Sequence, residues 1–323
     1  MTSDPALLAR LESYYDTAPR ATSDTEDLGP LTLFVAREGW PYYARPRLGS
    51  TEAVTTDDVR RVLDRQRELD VPRAVEWVHE TTPSLLAAAR EAGTRVDECP
   101  LLVLEGDPVA RPTDVSVRLV PADDPALELV RAAIHVGFGN AGTALGQASV
   151  DERDDEAAQH PEAGAHTTAL VEAGRSVLVG AFDARVGAVG GGSHNPRGEV
   201  TEIVGVGVLP AFRRRGIAGA LVTVLSQEAV SRGVTTVFCS ADDDDVARVG
   251  LCRRRLPPGG HRLHRRGRLR TVRRRHTGGD SGRKIFRLPR HRPGRCTLRR
   301  PDAESGGLTL HADRVKTLDS ASS

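Results

Sequence analysis

Three consecutive arginines, Arg213-Arg214-Arg215, stand directly before Gly216-Ile217-Ala218-Gly219. An apolar run, Glu202-Ile203-Val204-Gly205-Val206-Gly207-Val208, leads into them through Leu209-Pro210-Ala211-Phe212. A glycine-containing turn that opens a helix exposes several backbone N–H groups at the positive end of the helix dipole, and guanidinium groups beside it add charge. Small residues at Gly216, Ala218 and Gly219 let a ligand approach the backbone closely. This combination suits a polyphosphate. A Walker A loop is excluded because no G-K-[ST] follows, and a dinucleotide fingerprint because no G-x-G-x-x-G is present. The plainer alternative is an exposed basic helix start with no ligand.

Written as a pattern, residues 208–221 read V-x-P-x-[FY]-R-x-x-G-[IV]-[AG]-x-x-L. This resembles the acetyl-CoA loop of the GNAT N-acetyltransferase superfamily, and the resemblance covers about residues 115–249. It implies direct transfer of an acetyl group from acetyl-CoA to a primary amine in a ternary complex, with no metal. The backbone of Val206, Gly207 and Val208 would hydrogen-bond the pantetheine and the thioester. The N–H groups of Arg214, Arg215, Gly216, Ile217, Ala218 and Gly219 would hold the pyrophosphate. Arg213 matches the family's arginine, Arg214 and Arg215 are left to solvent or the adenosine phosphate, and Asp244 falls where the family often has an asparagine near the cofactor. The acceptor amine, on a small molecule or a protein, is an ammonium with a pKa of about 10 and must lose a proton before it attacks. Glu202, on the strand entering the site, is the candidate base and Glu199 the second; a solvated edge carboxylate is the alternative for Glu202. A strand N–H near Val206–Val208 would polarise the thioester carbonyl.

The elements that must position these residues follow from periodicity. After the boundary at Gly106-Asp107-Pro108 to Arg111-Pro112-Thr113, a strand is expected over 115–120, a helix over 125–136 and a glycine-rich loop over 137–147. A charged helix or loop over 151–164 and strands over 176–182, 186–191 and 201–208 come next. The helix over 216–232 closes at Gly233, and a strand follows at 235–239. Before the boundary lie a short helix over 6–15, strands over 31–35 and 42–45, and a helix capped by Thr56. A strand at 74–78, a helix at 83–92 and a strand at 100–105 complete the first part. The expected class is α/β: a mixed, mostly antiparallel sheet of GNAT type flanked by helices. A degenerate GNAT-like unit is expected over 1–110, with a divergent amine-side lid as its alternative, and the acetyl-CoA-binding unit over 115–249.

Composition bounds the rest. The 39% hydrophobic and 28% charged residues fit a globular chain, no apolar run is long enough for a membrane span, and the first residues lack a basic and apolar leader, so the expected location is the cytoplasm. Cys99, Cys239, Cys252 and Cys296 form no C-x-x-C pair and read as free thiols. His135, His160, His166 and His194 show no metal-ligand spacing and read as surface or loop residues. Trp40, Tyr42, Tyr43 and Trp77 read as core residues rather than a ligand cage.

Charge is unevenly placed. From Leu251 onward the chain carries 19 Arg and 2 Lys against 5 acidic residues, a net +16, so the total of +1 leaves −15 for residues 1–250. An arginine-rich arm of this kind can neutralise nucleic-acid phosphates. Phe286 is the only aromatic beyond Val249, however, so base stacking has almost no support and nucleic acid is not the expected partner.

The GNAT resemblance stops where this tail begins. The family's tyrosine, its G-F pair and two closing strands do not appear, and Leu251 stands roughly where the tyrosine would. Such a loss would leave the edge beyond 235–239 unpaired. It also raises a runner-up function, a non-catalytic acyl-CoA-binding or regulatory protein. Read one base later, codons compatible with 250–266 yield V-Y-A-D-V-G-F-R-R-V-G-T-A-C-I-A-E, the missing family ending. Residues 250–323 are therefore expected to be an out-of-frame, disordered arginine-rich tail. Sequencing the gene across codons 249 and 250 should reveal a one-base departure from the frame that encodes this ending; a frame that reads through without one removes the explanation.

Overall fold

The computed structural model describes residues 4–37, 42–140, 142–240 and 271–278, and of 97–100 and 271–278 only the backbone. The chain begins with α1 (Pro5–Arg20), capped by the Asp4 side chain accepting from the Ala6 N–H. A hairpin of β1 (Ser23–Leu28) and β2 (Leu31–Ala36) turns at Gly29, and β3 (Arg45–Pro46) joins its free side. The first of these strands escapes prediction because its sequence, SDTEDL, is polar on both faces and only its pairing to β2 makes it a strand. In α2 (Thr56–Glu68) the cap is Thr55, one residue before the expected position, and it exchanges hydrogen bonds with Asp58 in a capping box. The first part ends with β4 (Ala74–Val78), α3 (Ser84–Glu91) and β5 (Val96–Val103).

The second part follows the expected order. It contains β6 (Ser116–Val120), α4 (Leu127–Gly139), α5 (Val150–Gln159), α6 (Pro161–Glu172), β7 (Val177–Asp183), β8 (Gly187–Arg197) and β9 (Val200–Val208). A short 3-10 turn over 210–212 then leads to α7 (Ile217–Ser231) and β10 (Thr236–Ser240). A last strand, β11 (Thr271–Gly278), lies in the basic segment after residue 250, and its backbone pairs with β4 and β5.

The expected boundary at 106–112 does not separate two sheets. Eight strands form one sheet in the order β4-β11-β5-β10-β9-β8-β7-β6, so β5 from the first part lies beside β10 from the second. Phe238, Cys239 and Ser240 pair with Val103, Leu102 and Leu101. The edge of β10 that was expected to be bare is therefore covered by a strand of the same chain, and its backbone groups are satisfied there.

Helices cover both faces. Gly191 of β8 and Gly207 of β9 meet Val130 and Ile134 of α4, whereas Gly192 and Val206, on the opposite face, meet Leu225 of α7. α1 lies on the α4 side, where Tyr14, Tyr15 and Phe238 of β10 pack edge to face with centroids 5.1–5.7 Å apart. Trp77 is fully buried among Leu31, Leu33, Val59 and Leu85 and is a core residue, as expected; Tyr42 and Tyr43 are half-buried, and Trp40 is outside the described residues. Replacing Phe238 by Ala should cost roughly 3–5 kcal/mol, the range for a buried aromatic, and Phe238→Leu distinctly less. Chemical denaturation read by tryptophan fluorescence checks this through Trp77, and a loss below about 1 kcal/mol would contradict the packing assigned to α1.

Candidate active site

The site begins with an interrupted ladder. β9 and β10 run parallel, joined through α7, but they pair only at Val200–Thr236, Thr201–Val237 and Glu202–Phe238. Beyond Glu202 the two strands part. β10 remains attached to β5, and β9 remains attached to β8. The cause is an extra residue in β9: Gly191 pairs with Gly207 but Ser193 with Val204, so three steps on β9 match two on β8. Gly205 takes the positive φ of 66° that this bulge needs. The result is a wedge with Ile203–Val208 on one wall and Cys239 and Ser240 on the other, its β9 wall presenting backbone groups that have no partner in β10.

The turn stands at the open end of the wedge. Gly216, with φ 76°, is the N-cap of α7, and no side chain caps it. The helical ladder starts with the Ala220 N–H donating to Gly216 O at 3.1 Å, which leaves the N–H groups of Gly216, Ile217, Ala218 and Gly219 without an intrahelical acceptor. A Cβ at Gly216 would lie 2.6 Å from Pro112 O, and one at Gly219 would touch Arg111. The Thr113 hydroxyl donates to Arg215 O at 3.1 Å and the Thr223 hydroxyl to Val109 O at 3.0 Å. The segment read as a linker is thus a clip against the turn and its helix.

The three arginines separate into different roles. Arg213 sends its guanidinium to four carbonyls, Val208 O at 3.3 Å, Ala144 O at 3.4 Å, Gly137 O at 2.9 Å and Asn140 O at 2.6 Å. It ties the end of β9 to the end of α4 and the loop after it, and burial lowers its pKa from the usual guanidinium value. Arg215 grips Asp114 with contacts of 2.7–3.0 Å, reaches Asp183 at 3.1 Å and covers the Phe212 ring. The Arg215 hydrogen bonds hold the Asp114 carboxyl below its usual range; the Asp183 carboxyl is lowered by the Arg185 N–H first and Arg215 second. Arg214 is exposed, adopts φ 65° and makes no ion pair or side-chain hydrogen bond among the described residues. It is the cation left facing solvent at the turn.

Glu202 sits at the vertex of the wedge. Its side chain is 7% exposed, and Oε1 accepts a hydrogen bond from the Tyr15 hydroxyl at 3.0 Å. It is a buried carboxylate on the α1 face, not a solvated edge residue. Tyr14 beside it donates to Asn195 O at 2.9 Å, and burial, reinforced by the Glu202 charge, pushes its phenol well above the usual value. Glu199 lies in the β8–β9 turn at the far end of β9 and is exposed, with its carbonyl taken by Thr235 and Thr236. Val206, Gly207 and Val208 line the upper wall, and a Cβ on Gly207 would lie 2.8 Å from Ile134 O, so α4 packs directly on the strand there. Asp244 and Leu251 fall outside the described residues.

One histidine departs from expectation. β8 runs on to Arg197, beyond the expected end at Gly191, so His194 lies inside a strand and is fully buried. Its Nδ1 meets the Thr201 hydroxyl at 2.9 Å and its Nε2 meets Glu228 at 2.5 Å, with Arg232 paired to the same carboxylate. His135 is half-buried in α4 beside Glu156 and His166 lies in α6, while His160, between α5 and α6 with its side chain 43% exposed, is the surface residue expected. No group of His, Cys, Asp and Glu suited to a metal ion occurs among the described residues. Nor is any helix among them long and apolar enough to cross a membrane. Cys239 is buried in the core, as expected of a packing residue.

The profile of the Acetyltransferase (GNAT) family matches residues 144–256. A GCN5-related N-acetyltransferase from Kribbella flavida superposes with a TM-score of 0.58 at 20% identity, covering 85% of this chain and 96% of that one, so the two share a fold. A GCN5-related N-acetyltransferase from Sphaerobacter thermophilus gives a TM-score of 0.44 at 18% identity, with 80% of this chain and 85% of that one covered. A tandem GNAT protein from the clavulanic acid biosynthesis pathway gives 0.45 at 13% identity, with 78% and 79% covered. None of the curated proteins matches the chain.

The buried histidine generates a test. Burial, the main cause, holds the His194 imidazole below its ordinary 6.5 although Glu228 opposes this. Above that value both folded and unfolded chains keep it neutral. Below it the unfolded chain takes up a proton that the folded one resists, so stability falls as pH drops from about 6.5 toward the lower folded value. Between about pH 6.5 and 5 the Tm of the parent should fall more steeply than that of His194→Gln. Parallel slopes in thermal scans would contradict the neutral, buried assignment.

Proposed function

We propose that the chain is an N-acetyltransferase that moves the acetyl group of acetyl-CoA to a primary amine of a small molecule or protein in the cytoplasm. The observation that carries this is the wedge between β9 and β10 opening onto the uncapped start of α7. The groups present fit the ligand. An extended amide chain such as pantetheine can hydrogen-bond the unpaired backbone edge over Val206–Val208, in the manner of an added strand. A diphosphate suits the free N–H groups of Gly216–Gly219, with those of Arg214 and Arg215 beside them and the helix dipole behind. The exposed Arg214 guanidinium adds the charge that Arg213 and Arg215, occupied by protein partners, do not.

Acetyl-CoA supplies an acetyl group already activated as a thioester. The protein's own work is then orientation and proton removal. Val206–Val208 hold the thioester beside the vertex, and an N–H of this stretch polarises its carbonyl. Glu202 takes a proton from the acceptor ammonium, directly or through one water; the free amine attacks the carbonyl carbon, the C–S bond breaks, and the CoA thiolate leaves and takes up the second amine proton. The second reading, acyl-CoA binding without turnover, rests on Leu251 standing roughly where the family resemblance would put a tyrosine.

Calorimetry with CoA and a thiol-release assay with a panel of primary amines separate these readings. Substitution at Gly216 is a poor probe, because its positive φ and the Pro112 carbonyl would distort the turn regardless of ligand. Arg214→Glu should weaken CoA binding by about tenfold, as expected for a lost charged contact, and leave the thermal stability unchanged. Glu202→Gln should lower kcat/KM by on the order of a hundredfold or more at nearly unchanged CoA affinity. Binding without thiol release from any amine favours the second reading, and the absence of binding to the parent protein rejects both.

A further inference from the structure

The deepest unexplained feature is a buried charged cluster on the α1 face. Arg45, 6% exposed, lies flat over the Tyr15 ring with its guanidinium carbon 4.0 Å from the centroid. Its Nη1 contacts Glu76 of β4 at 3.2 Å, while its Nη2 is buried with no hydrogen-bond partner among the described residues. A buried guanidinium with an unfilled N–H site is costly unless its charge acts elsewhere. Here the charge faces the π-cloud of the phenol that donates to Glu202. Drawing electron density from the ring makes the hydroxyl a stronger donor, and a stronger donor favours the ionised carboxylate.

Resting on the acetyltransfer reading, we propose that the N-terminal segment is part of the transfer site: Tyr15, polarised by Arg45, is a positioning residue that keeps Glu202 ionised and fixed in orientation for accepting the amine proton. The first 46 residues then contribute to catalysis through the base without touching either substrate. Arg45 acts on Tyr15, and Tyr15 acts on Glu202. Other charged or titratable groups surround this pair. Tyr14 of α1 lies beside Glu202, Arg197 of β8 and Tyr42 act on Tyr14, Glu76 of β4 backs Arg45, and His194 occupies the opposite face of the sheet. Tyr15 donates a side-chain hydrogen bond to the Glu202 carboxylate.

The test uses the full chain labelled with carbon-13 at the glutamate side-chain carboxyl, the Glu202 signal being assigned by its loss in Glu202→Gln. Tyr15→Phe keeps the ring and removes the hydroxyl. Its expected effect is an upward move of about one pH unit in the Glu202 titration midpoint, the size for a charge-assisted hydrogen bond, with the acidic limb of kcat/KM moving the same way. The paired variant Arg45→Met with Glu76→Gln, which leaves no buried charge behind, should move the midpoint in the same direction by a smaller amount. An unmoved midpoint in Tyr15→Phe overturns the inference. The titration needs neither acetyl-CoA nor an amine, so its outcome is read independently of whether the acetyltransfer reading holds; a moved midpoint with an unmoved acidic limb also overturns the positioning role.

Discussion

Everything at the site depends on the point where β9 lets go of β10. Had the parallel ladder continued past Glu202, the backbone groups of Val206–Val208 would be paired and the space between the strands would not exist. The bulge at Gly205 bends β9 away while β8 still holds it, and β5 keeps β10 from following. A split of this kind is stable only because each strand has a second neighbour. The α7 crossover then sets its N-terminus above the gap, since a parallel connection returns the chain to the bottom of the sheet.

The turn shows how a run of like charge can be divided by its surroundings. Arg213 and Arg215 make the surface rigid, one through backbone carbonyls and the other through Asp114 and Asp183. Between them Arg214 occupies a left-handed conformation that an L-residue adopts at some cost, and this points a single uncommitted cation outward. The acidic clip residues and the basic turn neutralise each other locally. The net +1 of the chain conceals that arrangement as thoroughly as it conceals the basic tail.

Much of this was legible in the residues themselves. The proline, arginine and glycine spacing located the turn, and alternation located most strands within two or three positions. What could not be read was tertiary. SDTEDL becomes a strand only through β2, and α6 lacks a clear apolar stripe that would separate it from a charged loop. The linker prolines punctuate the chain locally, which hides that Pro112 and Thr113 press on the turn about a hundred residues later. The roles of the arginines were equally hidden, because charge type says nothing about which carbonyls lie within reach. The strand position of Glu202 could be read, but the tyrosine that donates to its carboxylate lies 187 residues earlier.

That separation has a bearing on how the chain assembles. α1 is made before the sheet it packs on, and its anchors, Asn195, Glu202 and Thr236, are 181, 187 and 226 residues further along. During synthesis the helix must wait, its apolar side uncovered, until nearly the whole sheet has emerged, and docking it closes very long loops at an entropic cost that slows the last step. A segment made well before the sheet is thus the last to reach its place, and the surroundings of Glu202 are completed only when it arrives.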